Sequence, residues 1–235
     1  MSNKKNKKYK DYSDYASVEL IALTEPLKIN PETNKKLTPE EFLAYTARVS
    51  NPSNQMNTMT TKKLLNYCIK NKHWSVFEIV SLCFEINTTR DIGRQILRHK
   101  SFSFQEFSGR YADPTKELGF ISREARLQDS KNRQNSIELI DDNDPINEEW
   151  YNIQVEVIEF AKTKYNRAIE LGIAKENARS VLPEGNLMTR MYISGNLRSF
   201  IHYTDIRSEM ASQKEHRIIS DLIKKEIKKH FSFIE

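Results

Sequence analysis

Long apolar runs are missing from this 235-residue chain, so no stretch qualifies as a membrane span. The lysine-rich start also lacks the apolar centre of a secretory signal. Cysteine is nearly absent. Cys68 and Cys83 each sit among apolar neighbours, which argues for buried free thiols in a reducing cytoplasm rather than a disulfide or a zinc site. No His or Arg adjoins either one to stabilise a thiolate, so neither has the setting of a nucleophile. No Gly-x-Gly-x-x-Gly occurs, which argues against a doubly wound dinucleotide fold. No internal repeat occurs either. A surplus of one charge is lacking once the start is set aside. Lys4, Lys5, Lys7, Lys8 and Lys10 account for the whole net charge of +5 and leave 32 basic against 32 acidic residues. A folded basic face for nucleic acid is therefore not indicated. The competing reading is a nucleic-acid-binding module that uses the tail and the cluster Arg98-His99-Lys100; a purely structural interaction protein is a third.

The length suits one substantial core, and 29% charged residues fit a soluble protein. We expect residues 1–15 to form a disordered tail and 16–235 a single domain, with 123–149 as a polar surface insertion. Ser17 to Leu23 reads as a strand. Thr38 caps a helix that opens on Pro39 and runs to about Ser50, and Thr58 to Lys70 reads as a second helix. Val76 to Ile86 has the apolar content of a strand, and Asn186 to Ser194 reads as another. Helices are expected over Thr89–Leu97, Trp150–Leu171, Asn196–Asp205 and Gln213–Lys229. The fold class is α+β (mixed α/β): a central antiparallel or mixed sheet packed by long helices. His216 and His230 fall on the charged last helix and are expected to be solvated.

The segment Arg98 to Tyr111 concentrates the chemistry. Arg98-His99-Lys100 and Arg110 flank a polar-aromatic run that ends in Ser108-Gly109. Glycine admits close approach of a ligand, and the neighbouring N–H groups, the Ser108 hydroxyl and the Arg110 fork all donate hydrogen bonds. Such a set suits a phosphate or an oxygen-bearing heterocycle. Ser108 has no His-Asp pair to activate it, so it reads as a ligand donor. Phe102, Phe104 and Phe107 could stack on a ring, but alternate aromatics in a strand more often belong to a core.

Arg98-His99-Lys100, seven residues, then Ser108-Gly109-Arg110-Tyr111 resembles the signature of the flavin-dependent thymidylate synthases. Further fragments follow that family's order: Ala47-Arg48-Val49-Ser50, His73 to Glu78, Gln95, Ala178 to Pro183, Asn196 to Phe200, Arg207 and Gln213-Lys214-Glu215. The resemblance implies reductive methylation of dUMP to dTMP, with methylenetetrahydrofolate as carbon donor and NADPH as reductant through FAD. It implies no cysteine nucleophile and a homotetramer with shared active sites. It assigns Gln95, Arg98, Glu106, Phe107, Ser108, Gly109, Arg110, Arg179 and Arg207 to dUMP. Ser50, Ser75, Glu78, Arg98, His99, Lys100, Glu106, Asn196, Arg198 and His202 fall to FAD. Arg207 is the catalytic candidate, since a guanidinium beside the pyrimidine stabilises charge that develops when carbon 5 attacks; a helix-end salt bridge to Asp205 or Glu209 is the alternative. His73 lies near flavin or folate, or merely caps. Three positions depart from the family pattern: Lys100 stands for arginine and loses its bidentate geometry, His202 stands for asparagine, and Ala211 for histidine.

Overall fold

Two nine-residue antiparallel strands form the centre of the molecule, in a computed structural model that describes residues 7–141 and 143–234. The first half holds α1 (Tyr12–Tyr15), β1 (Ser17–Leu23), β2 (Ile29–Asn30), β3 (Lys35–Lys36), α2 (Pro39–Ala47) and α3 (Thr61–Lys70). β4 (Ser81–Thr89), α4 (Arg90–Ile96), β5 (Ser103–Glu106), α5 (Pro114–Glu117), β6 (Arg126–Gln128) and β7 (Ser136–Glu138) come next. The last part is α6 (Pro145–Glu170), α7 (Lys175–Ala178), β8 (Met188–Asn196), α8 (Leu197–Arg207) and α9 (Lys214–Lys228). The sheet runs β1-β4-β8-β5 and is antiparallel throughout, as the α+β reading anticipates. β4 and β8 pair from Ser81 opposite Asn196 to Thr89 opposite Met188.

Leu82, Phe84 and Ile86 of β4 and Met191 and Ile193 of β8 point one way into the core, as a period of two requires. α9 covers β1 and β4 with Ile219, Ile223 and Ile227, and α8 packs between β8 and α9. The strand expected from Val76 begins later. Trp74–Glu78 is a 3-10 helix, and β4 starts at Ser81. Trp74, Phe77 and Val80 recur every third residue, the 3-10 period, and Phe77 and Val80 are fully buried; strand alternation begins only with β4. α6 starts at Pro145 instead of Trp150, with the Asp144 side chain accepting from the Ile146 N–H.

Residues 7–15, the described part of the start expected as a tail, include a short helix over Tyr12–Tyr15. Residues 1–6 lie outside the described residues, but Tyr9 and Tyr12 are buried. The Tyr9 hydroxyl donates to Glu159 on α6, and the Tyr12 hydroxyl donates to the Glu215 carbonyl at 3.1 Å and pairs with Thr88 at 2.6 Å. The polar stretch 123–149 is likewise anchored at its start: Arg123 pairs with Asp91 at 2.7 Å and Arg126 with Glu215 at 2.6 Å, beside the hairpin β6–β7.

Gly195 in β8 lies against the ring of Phe102, which packs 4.6 Å from Phe200 between ring centroids. A Cβ there would meet Phe102 Cδ1 at 2.5 Å. Gly195→Ala is expected to cost about 1–3 kcal/mol, because a buried ring must move. Urea unfolding would register it as a lower midpoint at unchanged slope.

Candidate active site

Both inner strands run straight into helices that carry candidate site residues. Thr89 ends β4 and precedes α4, which bears Gln95. Asn196 ends β8 and caps α8, its side chain accepting from the Ser199 N–H at 2.9 Å. α8 carries Arg198 and Arg207. With no linker at either junction, the sheet sets where these side chains start.

Arg207 and His99 come together. The Arg207 Nε–H donates to His99 Nε2 at 2.9 Å, so that ring nitrogen must be bare. Burial, and then the Arg207, His202 and Arg98 charges, lower the His99 pKa to about 4. The imidazole is therefore neutral near pH 7. The salt bridge to Asp205 or Glu209 is not made; Arg207 has no carboxylate partner among the described residues.

A second group gathers around the glycine turn. Gly109 is buried, and a Cβ on it would lie 3.5 Å from the Arg179 side chain. Arg110 is exposed and pairs with Glu176 at 3.1 Å. Ser108 Oγ accepts from the Arg110 N–H at 3.4 Å, and the Phe107 N–H bonds the Arg190 carbonyl at 2.9 Å. Glu106 accepts from Thr189 at 2.8 Å and lies 3.8 Å from Arg90.

A third group joins the 3-10 helix to α8 through the ion pair between Glu78 and Arg198, with Ser75 exposed beside it. Arg98, Lys100, His202 and Ser50 are also exposed. Phe102 is core, its ring edge-on to Tyr203 at 5.8 Å, while Phe104 and Phe107 are half-buried. His73 is exposed and meets the Tyr67 ring. Two concavities, one along Pro145, Ile146, Trp150 and Ile153 and a small polar one between Asp11 and Lys214, are lined by none of these residues.

Sequence reasoning missed the residues behind the first group. His216 is not solvated but 0% exposed. Its Nε2 meets the Tyr203 hydroxyl at 2.9 Å and its Nδ1 meets Gln95 Oε1 at 3.3 Å. Burial, then Arg207 and His99, lower its pKa to about 3. The signal was available: counting back from Ile227, Ile223 and Ile219 on α9, the same face reaches residue 216. The two thiols match their reading in part, with Cys68 buried and Cys83 half-buried, and burial raises both pKa values.

The described lysines of the basic start are engaged within the molecule. Lys7 lies over the Tyr151 ring at 4.7 Å and Lys8 pairs with Glu159 at 2.8 Å. Among the described residues no helix is long and apolar enough to cross a membrane.

Comparison with known proteins returns a family for the chain and solved structures of similar fold. The family model described as thymidylate synthase complementing protein (Thy1) matches residues 33–231. The chain is 50% identical over 216 residues to the flavin-dependent thymidylate synthase of Synechocystis, covering 91% of this chain and 95% of that protein. It is 42% identical over 220 residues to a protein of Paramecium bursaria Chlorella virus 1 named "Probable flavin-dependent thymidylate synthase", covering 93% and 96%. The fold resembles the UMP/dUMP methylase PolB of Streptomyces cacaoi, solved with 5-Br dUMP, at a TM-score of 0.75 and 22% identity over 93% of this chain and 92% of that one. The chain belongs to the flavin-dependent thymidylate synthase family of enzymes.

Proposed function

We propose that the protein is a flavin-dependent thymidylate synthase that converts dUMP to dTMP in the cytoplasm, with methylenetetrahydrofolate as carbon donor and NADPH as reductant. Family membership over most of the chain carries this reading. The donor set fits FAD in chemistry: Arg98 and Lys100 are exposed cations with no carboxylate partner among the described residues, and Arg198 stands beside Glu78. These groups suit a diphosphate, and with Ser50, Ser75, His99, Asn196 and His202 they would hold the cofactor. When bound, the flavin supplies reducing equivalents that no side chain can.

The chain's own residues bind, orient and stabilise. Ser108, Gly109, Arg110 and Arg179 hold the nucleotide at the glycine turn, with Glu106, Phe107 and Gln95 beside it. Arg207 sets positive charge where the pyrimidine becomes electron-rich, and neutral His99 holds that guanidinium by accepting from its Nε. A homotetramer whose active sites draw on several copies belongs to this reading through the family resemblance.

The two thiols fill space. Burial raises both pKa values, which leaves little thiolate near pH 7. Cys68→Ala with Cys83→Ala is expected to retain most dTMP formation from dUMP, methylenetetrahydrofolate, FAD and NADPH. The unmodified protein should retain flavin absorbance after desalting and oxidise NADPH. Loss of both properties in a folded sample would refute the flavoenzyme reading, and a cysteine-free protein without product would return the chemistry to a thiol.

A further inference from the structure

Gln95 sits inside a chain of polar groups whose direction can be worked out from one end. Glu215 pairs with Arg126 at 2.6 Å and is buried, so it can only accept. The Gln213 side chain meets Glu215 Oε2 at 2.8 Å and must offer its amide nitrogen. The Gln213 oxygen therefore faces Gln95 at 2.8 Å, which in turn must offer its own nitrogen. That leaves the Gln95 oxygen toward His216 Nδ1 at 3.3 Å, so Nδ1 carries the proton. His216 Nε2 is then bare and takes the Tyr203 hydroxyl hydrogen at 2.9 Å. No member can be turned over without facing two donors or two acceptors at each other. Such a clash inside a core is costly. The direction thus follows from the buried carboxylate and holds for either amide independently of its oxygen and nitrogen labels.

We infer that His216, backed by Tyr203, is a positioning residue that locks the orientation of the Gln95 carboxamide toward the nucleotide. Gln95 keeps one N–H and one oxygen lone pair free after its two internal bonds, and the chain fixes which side each occupies. Tyr203 contributes from behind, since its ring also packs edge-on to His99 at 4.8 Å, the imidazole that holds Arg207. One pair of buried side chains therefore steadies both Gln95 and the Arg207 support. Burial keeps His216 neutral, as a group that donates at Nδ1 and accepts at Nε2 has to be. The inference rests on the proposed reading of Gln95 as a nucleotide contact.

The test uses the full chain loaded with FAD. His216→Leu keeps bulk but removes the donor to Gln95, and dUMP binding is expected to weaken about tenfold. The KM for dUMP should rise with it while kcat changes less than about twofold and FAD content stays constant; a general packing defect would lower kcat through the folded fraction instead. His216→Asn, whose amide nitrogen lies near the place of Nδ1, should recover most of the affinity. Tyr203→Phe deletes one hydroxyl with little risk to folding and should weaken dUMP about threefold. Nitrogen-15 NMR of the unmodified protein should find His216 neutral with its proton on Nδ1. Wild-type affinity for dUMP in both His216→Leu and Tyr203→Phe, or a proton found on Nε2, would overturn the inference while leaving the nucleotide reading intact. An unmodified protein that does not bind dUMP would overturn that reading and the inference with it.

Discussion

Arg207→Ala should abolish dTMP formation, by at least about a hundredfold in kcat, while NADPH still reduces the bound flavin at a measurable rate. Three observations set the size of the effect. Arg207 is half-buried, and no described carboxylate neutralises it. Its Nε–H is tied to His99 at 2.9 Å, which aims the rest of the guanidinium before any substrate arrives. His99 adds no competing charge, because burial lowers its pKa to about 4. A preorganised charge stabilises the transition state, in which the ring becomes negative, more than it stabilises the bound substrate. Reduction involves no charge on the pyrimidine, so it should survive. Stopped-flow absorbance separates the two steps, with product measured by chromatography. Arg207→Lys should fall between, since it keeps the charge but loses the fork and the bond to His99. Equal loss of reduction and methylation in Arg207→Ala would move this residue to the hydride side.

Arg110→Ala should weaken dUMP binding about 30- to 150-fold, the equivalent of about 2–3 kcal/mol for a charge-assisted contact to phosphate. FAD content should hardly change. The structure adds a partner that the sequence did not reveal. Arg110 pairs with Glu176 at 3.1 Å, with the two side chains 60% and 52% exposed. An ion pair so open to water contributes about 0–1 kcal/mol. A phosphate that carries more charge can displace it. Glu176→Gln should accordingly tighten dUMP a few-fold and make binding more sensitive to salt, because the site gains net positive charge. Calorimetric titration at two ionic strengths reads both variants. An Arg110→Ala protein that loses FAD and dUMP equally would place this arginine on the cofactor side.

Much of the frame was legible because it obeys simple periods. Thr38-Pro39 announced α2 through a capping box that the structure closes with Glu41, and the strand expected over 186–194 is β8, displaced by two residues at each end. The loop from Arg98 to Arg110 stood out because cations, a glycine and hydroxyls seldom cluster by accident. What escaped had one of two causes. Trp74 to Val80 has the composition of a strand but the period of a 3-10 helix, and composition misled. His216 and Glu215 look solvated among charged neighbours, yet the apolar face of α9 carries one inward and Arg126 from a distant hairpin holds the other. Periodicity within a segment cannot reveal a partner 89 residues away.

The Tyr12 hydroxyl on the Glu215 carbonyl joins positions 203 apart in sequence. Tyr12 therefore leaves the ribosome before its acceptor is made, and the contact waits for the last helix. Closing so long a loop carries an entropic cost that is lower wherever other contacts already hold its ends together. The polar chain behind Gln95 converges on the same glutamate, so it is completed only after α9 has docked. A nascent chain without α9 therefore lacks the polar chain that holds the Gln95 side chain.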